Sequence, residues 1–491
     1  MLIWEWIHPN DVVNFGLTRN GVYHAGEAQI RLYKDYGCLD LPDYTAGSLP
    51  RLRSSKEEVV LPFYHMAGVL DDILHDWRIP YYITKLTISL QHRLLWKTST
   101  VEKNSHSVLH ISEDFGKKHP GLSNGLAEFF RAPWVSHSKH SMVEWEDRLR
   151  DGIHNPDPGY FALLGVLPNL EDLRIYFGEH YGVLPSDDMG EFLRAVNCAR
   201  LEKHKALSKL HSVTLFRSDE SPDFSALLRF LEFPSVKRMY LEGVTCEKFS
   251  DSIRTCLTNG TVSCLEELIL ECNILEHLAL SYLWMKCPAL RKLRIINEED
   301  ENENLECFGP IDFCKNLQVF SFIFSNHASD KRDFACMLRC KSALRKCFNL
   351  KRLELGASFL VYEFEEWREY DNKMEKITNM HADHLVDWLP DSLQYLRLEM
   401  DGLGAKWCIY KEKWVVGLPK LFIPEMFRDF ALVKKARLTD LDRMQITMID
   451  PESTQAIVEI CEEAGVRLDF DAKVWRNWDD WFEGLYACYS D

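Results

Sequence analysis

The chain has 491 residues, enough for two to four ordinary domains or for one repeat array that grows by stacking. Its 46% hydrophobic and 27% charged residues give the composition of a soluble globular protein, and no apolar run approaches the roughly 18 residues of a membrane span, so no membrane partner is expected. A formal charge of -17 disfavours nucleic acid as a partner, and 15 cysteines, an odd number without a regular framework, favour reduced thiols in cytosol or nucleus over disulfides.

In chain order, the apolar patch from Met1 to Ile7 is interrupted by Glu5, follows no basic stretch and precedes no small-residue cleavage site, so it does not read as a secretory signal. Residues 1–36 place Pro9 ahead of Asp11, an N-cap residue, with Val12, Phe15, Leu17, Val22 and Tyr23 following, which predicts a compact helical module. Residues 37–80 read as a helical connector.

From residue 81 to 470 one pattern recurs, L-x-x-L-x-L. It stands at Leu170/Leu173/Ile175, Leu265/Leu268/Leu270, Leu290/Leu293/Ile295, Leu350/Leu353/Leu355 and Leu393/Leu396/Leu398. Weaker copies are Ile83/Leu86/Ile88, Leu210/Val213/Leu215, Val236/Met239/Leu241, Leu317/Phe320/Phe322 and Leu441/Met444/Ile446. Between Leu210 and Leu317 the first positions fall 26, 29, 25 and 27 residues apart, the period of a leucine-rich repeat made of one strand and one helix. The copy at Leu265 continues the longer signature through Asn273 and Leu275. Neither element buries its apolar side alone, so neighbours must stack, and the expected fold is α/β: an irregular leucine-rich-repeat solenoid, a curved parallel sheet with outer helices.

Within the array, residues 97–160 are polar and rich in Ser, His, Pro and Gly, and read as an insertion with a short helix around Leu126 to Phe130. Leu275, Leu278, Ala279 and Tyr282 recur at helical spacing and predict an outer helix. Residues 297–304, NEEDENEN, read as a solvated acidic loop. Beyond Leu317 the spacing grows to 33, 43 and 48 residues, which predicts longer helices or surface insertions such as the stretch holding VYEFEEWREYDNKMEK. The tail, 471–491, carries Trp475, Trp478, Trp481, Phe482 and Leu485 at helical spacing, as a capping helix or a docking helix would.

Cys287, Cys314 and Cys347 each stand three residues before a motif Leu, one per repeat, which suits small buried turn residues better than the short paired spacing of a metal site. His381 and His384 have a spacing that brings two rings to one face of a helix, but no carboxylate or cysteine completes a ligand set. The chain lacks G-x-S-x-G, G-x-x-x-x-G-K-[ST] and H-E-x-x-H, so no enzyme, cofactor or metal is expected.

The gap residues beside the motif leucines project to the opposite face of each strand, the inner face of a solenoid. They include Asp172, Arg238, Glu267, Lys292, Arg352 and Tyr395 at the third motif position, and Arg174, Tyr240, Ile269, Arg294, Glu354 and Arg397 at the fifth. Arginines and tyrosines on one face of an acidic chain suit protein recognition. A client-binding face is therefore expected at Arg174, Arg238, Tyr240, Lys292, Arg294, Arg352, Glu354, Tyr395 and Arg397, with charge reversal at Arg294 and Arg397 expected to leave folding intact.

The N-terminal module resembles the middle and end of an F-box, on Pro9, Asp11, Val12, Phe15, Leu17, Thr18 and the Leu32–Tyr33 pair. With the repeats behind it, the architecture is similar to that of the F-box/leucine-rich-repeat proteins, in particular the divergent group of filamentous fungi. Motif-level likeness is confined to residues 1–36 and the L-x-x-L-x-L copies. The resemblance implies a substrate receptor: the module docks on the adaptor of an SCF-type ubiquitin ligase through Leu2, Ile3, Trp6, Ile7, Pro9, Val12 and Phe15, and the repeat surface holds a protein client. Such a chain performs no chemistry and supplies proximity and orientation. An F-box opens with a Leu-Pro pair, and Met1 falls where its first helix is already under way, so that opening is expected upstream and adaptor binding by the present chain is expected to be weak. The alternative is a leucine-rich-repeat scaffold with no ligase role.

Overall fold

The computed structural model describes residues 36, 38–41, 62–89, 129, 132–145, 157–177, 186–217, 228–243, 245–246, 262–271, 274–275, 283–297, 314–324, 341–356, 360–370, 373–399, 405–408, 413–416, 423–447 and 451–471. The chain divides into two compact units, Met1–Met239 and Tyr240–Asp491. The F-box-like stretch before residue 36, most of the acidic loop and all of the aromatic tail beyond Asp471 lie outside the described residues.

The first unit contains β1 (Cys38–Leu41), α1 (Pro62–His75), α2 (Ile79–Tyr82), β2 (Lys85–Ser89), a 3-10 turn at Pro133–His137, α3 (Asp157–Leu164), β3 (Asp172–Phe177), α4 (Ser186–Leu201) and β4 (Ser212–Arg217). The four strands lie side by side in the order β1-β2-β3-β4, and each pairing is parallel. Motif residues Leu86, Leu173 and Val213 are in register and buried. Cys38–Leu41 was expected in a helical connector; it is a strand, too short to carry the motif, that pairs with β2. Helix α4 buries Met189, Phe192, Leu193, Val196 and Ala199, an i, i+3, i+4, i+7 stripe, as its amphipathic sequence requires.

The segment expected as a polar insertion supplies much of this unit's core. Trp134 and Trp145 are fully buried. The Trp134 ring meets Trp145 and Phe192 edge-on at 5.7 and 5.0 Å, and Phe192 stacks on Phe161 at 4.9 Å. Polar contacts fasten the same segment to α4: Arg194 Nη2 donates to the His137 carbonyl at 2.6 Å, and the Lys139 N–H donates to Glu191 Oε1 at 2.5 Å. Ser141 and Glu144 form a reciprocal capping box, each backbone N–H donating to the other's side chain. Phe129 is helical and buried, the described part of the helix expected near it.

Strand β5 (Arg238–Glu242) spans the boundary at Met239 and Tyr240. The second unit continues with β6 (Thr245–Cys246), β7 (Glu267–Glu271), β8 (Ile274–Leu275), β9 (Lys292–Asn297), β10 (Val319–Phe324), β11 (Arg352–Gly356), β12 (Val361–Tyr370), β13 (Lys373–Ala382), β14 (Tyr395–Glu399), β15 (Ala405–Cys408), β16 (Lys413–Val416), α5 (Phe430–Ala436), β17 (Arg443–Thr447), α6 (Pro451–Ala464) and β18 (Arg467–Asp471). Its sheet runs β7-β9-β10-β11-β14-β17-β18, parallel throughout. Leu268, Leu293, Phe320, Leu353, Leu396, Met444 and Leu468 stand opposite one another across it.

The longer intervals near the end of the array contain antiparallel hairpins, β12 with β13 and β15 with β16. Leu275, expected on an outer helix, belongs to β8, which pairs with β6. His381 likewise lies on β13, so the paired-histidine helix does not form; His384 instead places Nε2 3.1 Å from Glu425 Oε1.

Each unit is thus an open parallel α/β sheet whose strands follow sequence order, as stacked strand-and-crossover units demand. A polar rung spaces them. Asn169, Asn316 and Asn349, each just before a first motif Leu, donate from Nδ2 to the carbonyls of Tyr81, Pro288 and Lys315 at 2.7, 2.9 and 2.8 Å. Ser392, in the same place, donates to the Leu350 carbonyl at 2.8 Å. Cys287, Cys314 and Cys347 are buried beside these turns, and burial pushes the Cys287 thiol up to about 12.

Candidate interaction face

Side chains alternate across a strand, so with the motif leucines in the core the third and fifth positions share the other face. In the second unit the fifth positions form one row in register: Ile269, Arg294, Ser321, Glu354, Arg397 and Gln445. This row was expected to meet water. Instead Arg294 and Arg397 are each only 1% exposed, and every member of the row is buried.

Burying charge is costly unless partners replace water. Glu354 is held from both sides: Arg397 Nη1 lies 3.0 Å from its Oε1, and Ser321 Oγ donates to its Oε2. Tyr240 donates to Glu271 and also meets Glu242 at 2.8 Å. Burial raises the Tyr240 phenol pKa, and the neighbouring carboxylates raise it further. Tyr395 donates to Gln445 Oε1. Burial pushes the Arg294 guanidinium below its ordinary value, opposed mainly by Glu354 and Glu271. Lys292 Nζ sits 2.9 Å from Glu267 Oε1, a pair largely shielded from water. Arg352 is half-buried.

The second unit therefore places six of the expected client residues, Tyr240, Lys292, Arg294, Glu354, Tyr395 and Arg397, in a partnered and mostly dry layer. Ser321, Gln445, Glu271 and Glu399 belong to the same layer and were missed. Ser321 and Gln445 are fifth positions of the weaker motif copies, and Glu271 and Glu399 follow at the seventh, so the period-2 rule could have found them.

The first unit differs. Lys85, Asp172 and Ser212 form the third-position row, and Thr87, Arg174 and Thr214 the fifth. The Arg238 N–H donates to the His211 carbonyl as the Ser212 N–H donates to that of Glu171, which aligns Arg238 with the third-position row. Here Lys85 is exposed, while Thr87, Asp172, Ser212 and Arg238 are half-buried. The Arg174 side chain keeps 42% of its surface and lies 3.3 Å from Asp172. Of the nine expected client residues, Arg174, Arg238 and Arg352 thus keep part of their surface accessible.

Among the described residues no group of three or more His, Cys, Asp or Glu side chains could hold a metal ion, and no helix is long and apolar enough to cross a membrane. The expected adaptor contacts, Leu2 to Phe15, lie outside the described residues. No protein-family model and no curated protein matches the chain.

Proposed function

We propose that the chain is a non-catalytic protein-interaction subunit, the substrate receptor of an SCF-type ubiquitin ligase, working in cytoplasm or nucleus. The observation that supports the interaction reading is the register: in each unit successive motif strands lie parallel and aligned, as in stacked repeats, and in the first unit the aligned gap residues Lys85 and Arg174 keep accessible surface. The ligase assignment rests on the F-box-like residues Pro9, Asp11, Val12, Phe15, Leu17 and Thr18. In this role the chain lowers the barrier by bringing client and ligase together and needs no cofactor.

Co-precipitation of the full chain with the SCF adaptor tests the assignment, alongside a version whose N-terminus is extended with a Leu-Pro opening. Adaptor recovery by either version supports a receptor. Client binding without adaptor recovery in both would leave a leucine-rich-repeat scaffold instead.

A further inference from the structure

We propose that the β12–β13 hairpin is a recognition arm whose β12 edge takes up an extended basic segment of the protein client as a third strand. This deepens the interaction reading above and is independent of the ligase assignment. The arm has a fixed root. Leu360, just before β12, is fully buried, and the Asp383 N–H, just after β13, donates to its carbonyl at 2.8 Å, one step below the pair Val361 and Ala382. Trp388 Nε1 donates to Asp383 Oδ2 at 3.1 Å, and Lys341 Nζ ties Asp383 to Asp387 at 3.5 and 3.0 Å.

From that root two ten-residue strands run in register to the pair Tyr370 and Lys373, a length of about 33 Å. Among the described residues each strand pairs only with the other, and neither joins the parallel sheet. The shorter β15–β16 hairpin, with Lys406 and Lys413, does not extend the ribbon among those residues either. In an antiparallel pair every second residue turns its N–H and C=O away from the partner, so each outer edge is a row of backbone donors and acceptors. A two-stranded ribbon is marginal alone and gains from a third strand.

Charge selects the edge and the occupant. Strand β12 carries Glu363, Glu365, Glu366 and Glu369 against Arg368, whereas β13 carries Lys373 and Lys376 against Glu375. The register sets Arg368 opposite Glu375 and sets the four β12 glutamates opposite Met380, Thr378, Ile377 and Met374, none of them charged. Glu363, Glu365 and Glu369 fall on one face of the ribbon, where Lys376 is the one cation, diagonal to Glu365 and Glu369. Like charges oppose pairing of β12 with a second copy of itself, and its net negative charge repels nucleic acid. An extended segment with Lys or Arg at alternate positions meets the glutamates instead. In such strand addition the backbone bonds supply affinity and the alternate side chains choose the partner.

The test uses the full chain and a fluorescent ten-residue probe peptide of alternating Lys and Thr, followed by anisotropy, with hydrogen exchange read separately over 361–370 and 373–382. Binding is expected, with new protection confined to 361–370 and at least tenfold weaker binding of a probe N-methylated at its four central backbone nitrogens. Glu363→Lys/Glu365→Lys should weaken the probe about tenfold. Should that variant disturb the hairpin, Glu363→Gln/Glu365→Gln must still weaken binding at low salt. No binding, equal binding of the N-methylated probe, unchanged affinity in the folded variants, or protection elsewhere overturns the proposal. So does protection of 361–370 that rises with protein concentration alone, which would give the edge to a second copy. Because the probe needs no adaptor, failure of the adaptor co-precipitation leaves this outcome readable, and client binding by a chain that ignores the probe would remove the arm but not the interaction reading.

Discussion

Arg397 Nη1 lies 3.0 Å from Glu354 Oε1, on neighbouring parallel strands, with the two side chains 1% and 7% exposed. A pair so enclosed behaves unlike a surface salt bridge. Removing one partner leaves a charge stranded in a dry layer, while removing both takes that penalty away and leaves Arg294 with Glu271 and Glu399 as its neighbouring carboxylates. Arg397→Met or Glu354→Leu alone should therefore cost about 3 to 5 kcal/mol, and the double variant far less than their sum. Urea unfolding of all four proteins measures the coupling; additive losses would mean that the pair is not the unit of stability. Charge reversal at Arg294 and Arg397, expected from sequence to spare folding, is now expected to unfold this unit.

Gly165 closes α3 against the buried indole of Trp134. A methyl group there would sit 2.4 Å from Trp134 Nε1 and 3.0 Å from the Phe161 carbonyl oxygen, so Gly165→Ala has to displace a ring that is itself wedged between Trp145 and Phe192. The expected cost is about 1 to 3 kcal/mol, as for overpacking elsewhere. It should appear as a lower Tm together with a changed near-ultraviolet tryptophan signal. A lower Tm with the signal intact would place the strain away from Trp134.

The ten motif triplets were legible because a buried strand needs its apolar residues at period 2 and a stacked array needs them repeated. What escaped follows from the same physics. Cys38–Leu41 is four residues long and lacks room for a triplet. Trp134 and Trp145 are embedded among Ser, His and Lys, so local composition hid a core that forms only against Phe161 and Phe192 on distant helices. Parity told which face Arg294 and Arg397 occupy, but exposure depends on what lies over that face, which no local pattern encodes. The rungs at Asn169, Asn316 and Asn349 were readable in PNL, KNL and FNL, had the residue before each Leu been compared.

Two helices end in the same way with different residues at the left-handed position. After α4 the His204 N–H donates to the Ala199 carbonyl and the Lys203 N–H to that of Arg200, with Lys203 at φ 72°. After α6 the Val466 N–H donates to Cys461 and the Gly465 N–H to Glu462, with Gly465 at φ 67°. Both are Schellman closures, for which glycine is the unstrained choice. Lys203→Gly should therefore stabilise the protein by up to about 1 kcal/mol, the strain relieved less the added freedom of glycine in the unfolded chain. Gly465→Ala should cost about as much, although its methyl group would meet no atom within 4 Å. Opposite shifts in thermal unfolding are the expected result; shifts of the same sign would refute a common backbone cause.

His204 couples that closure to pH. Its Nε2 lies 3.1 Å from the Gly165 carbonyl oxygen, to which the neutral ring can donate. Burial holds the imidazole below its ordinary value, and the bond to Gly165 offsets only part of that effect. The folded state therefore resists protonation more than the unfolded chain does, whose histidine titrates near 6.5. Stability from the neutral ring is fully present above that value and is lost as pH falls through the lower folded value, since the unfolded state then binds the extra proton. His204→Gln keeps a donor for Gly165 but does not titrate. Between about pH 7.5 and 5 the native protein should lose more unfolding free energy than this variant, by an amount that grows steadily below about pH 6.5. Parallel stability curves for the two proteins across that range would remove His204 as the cause.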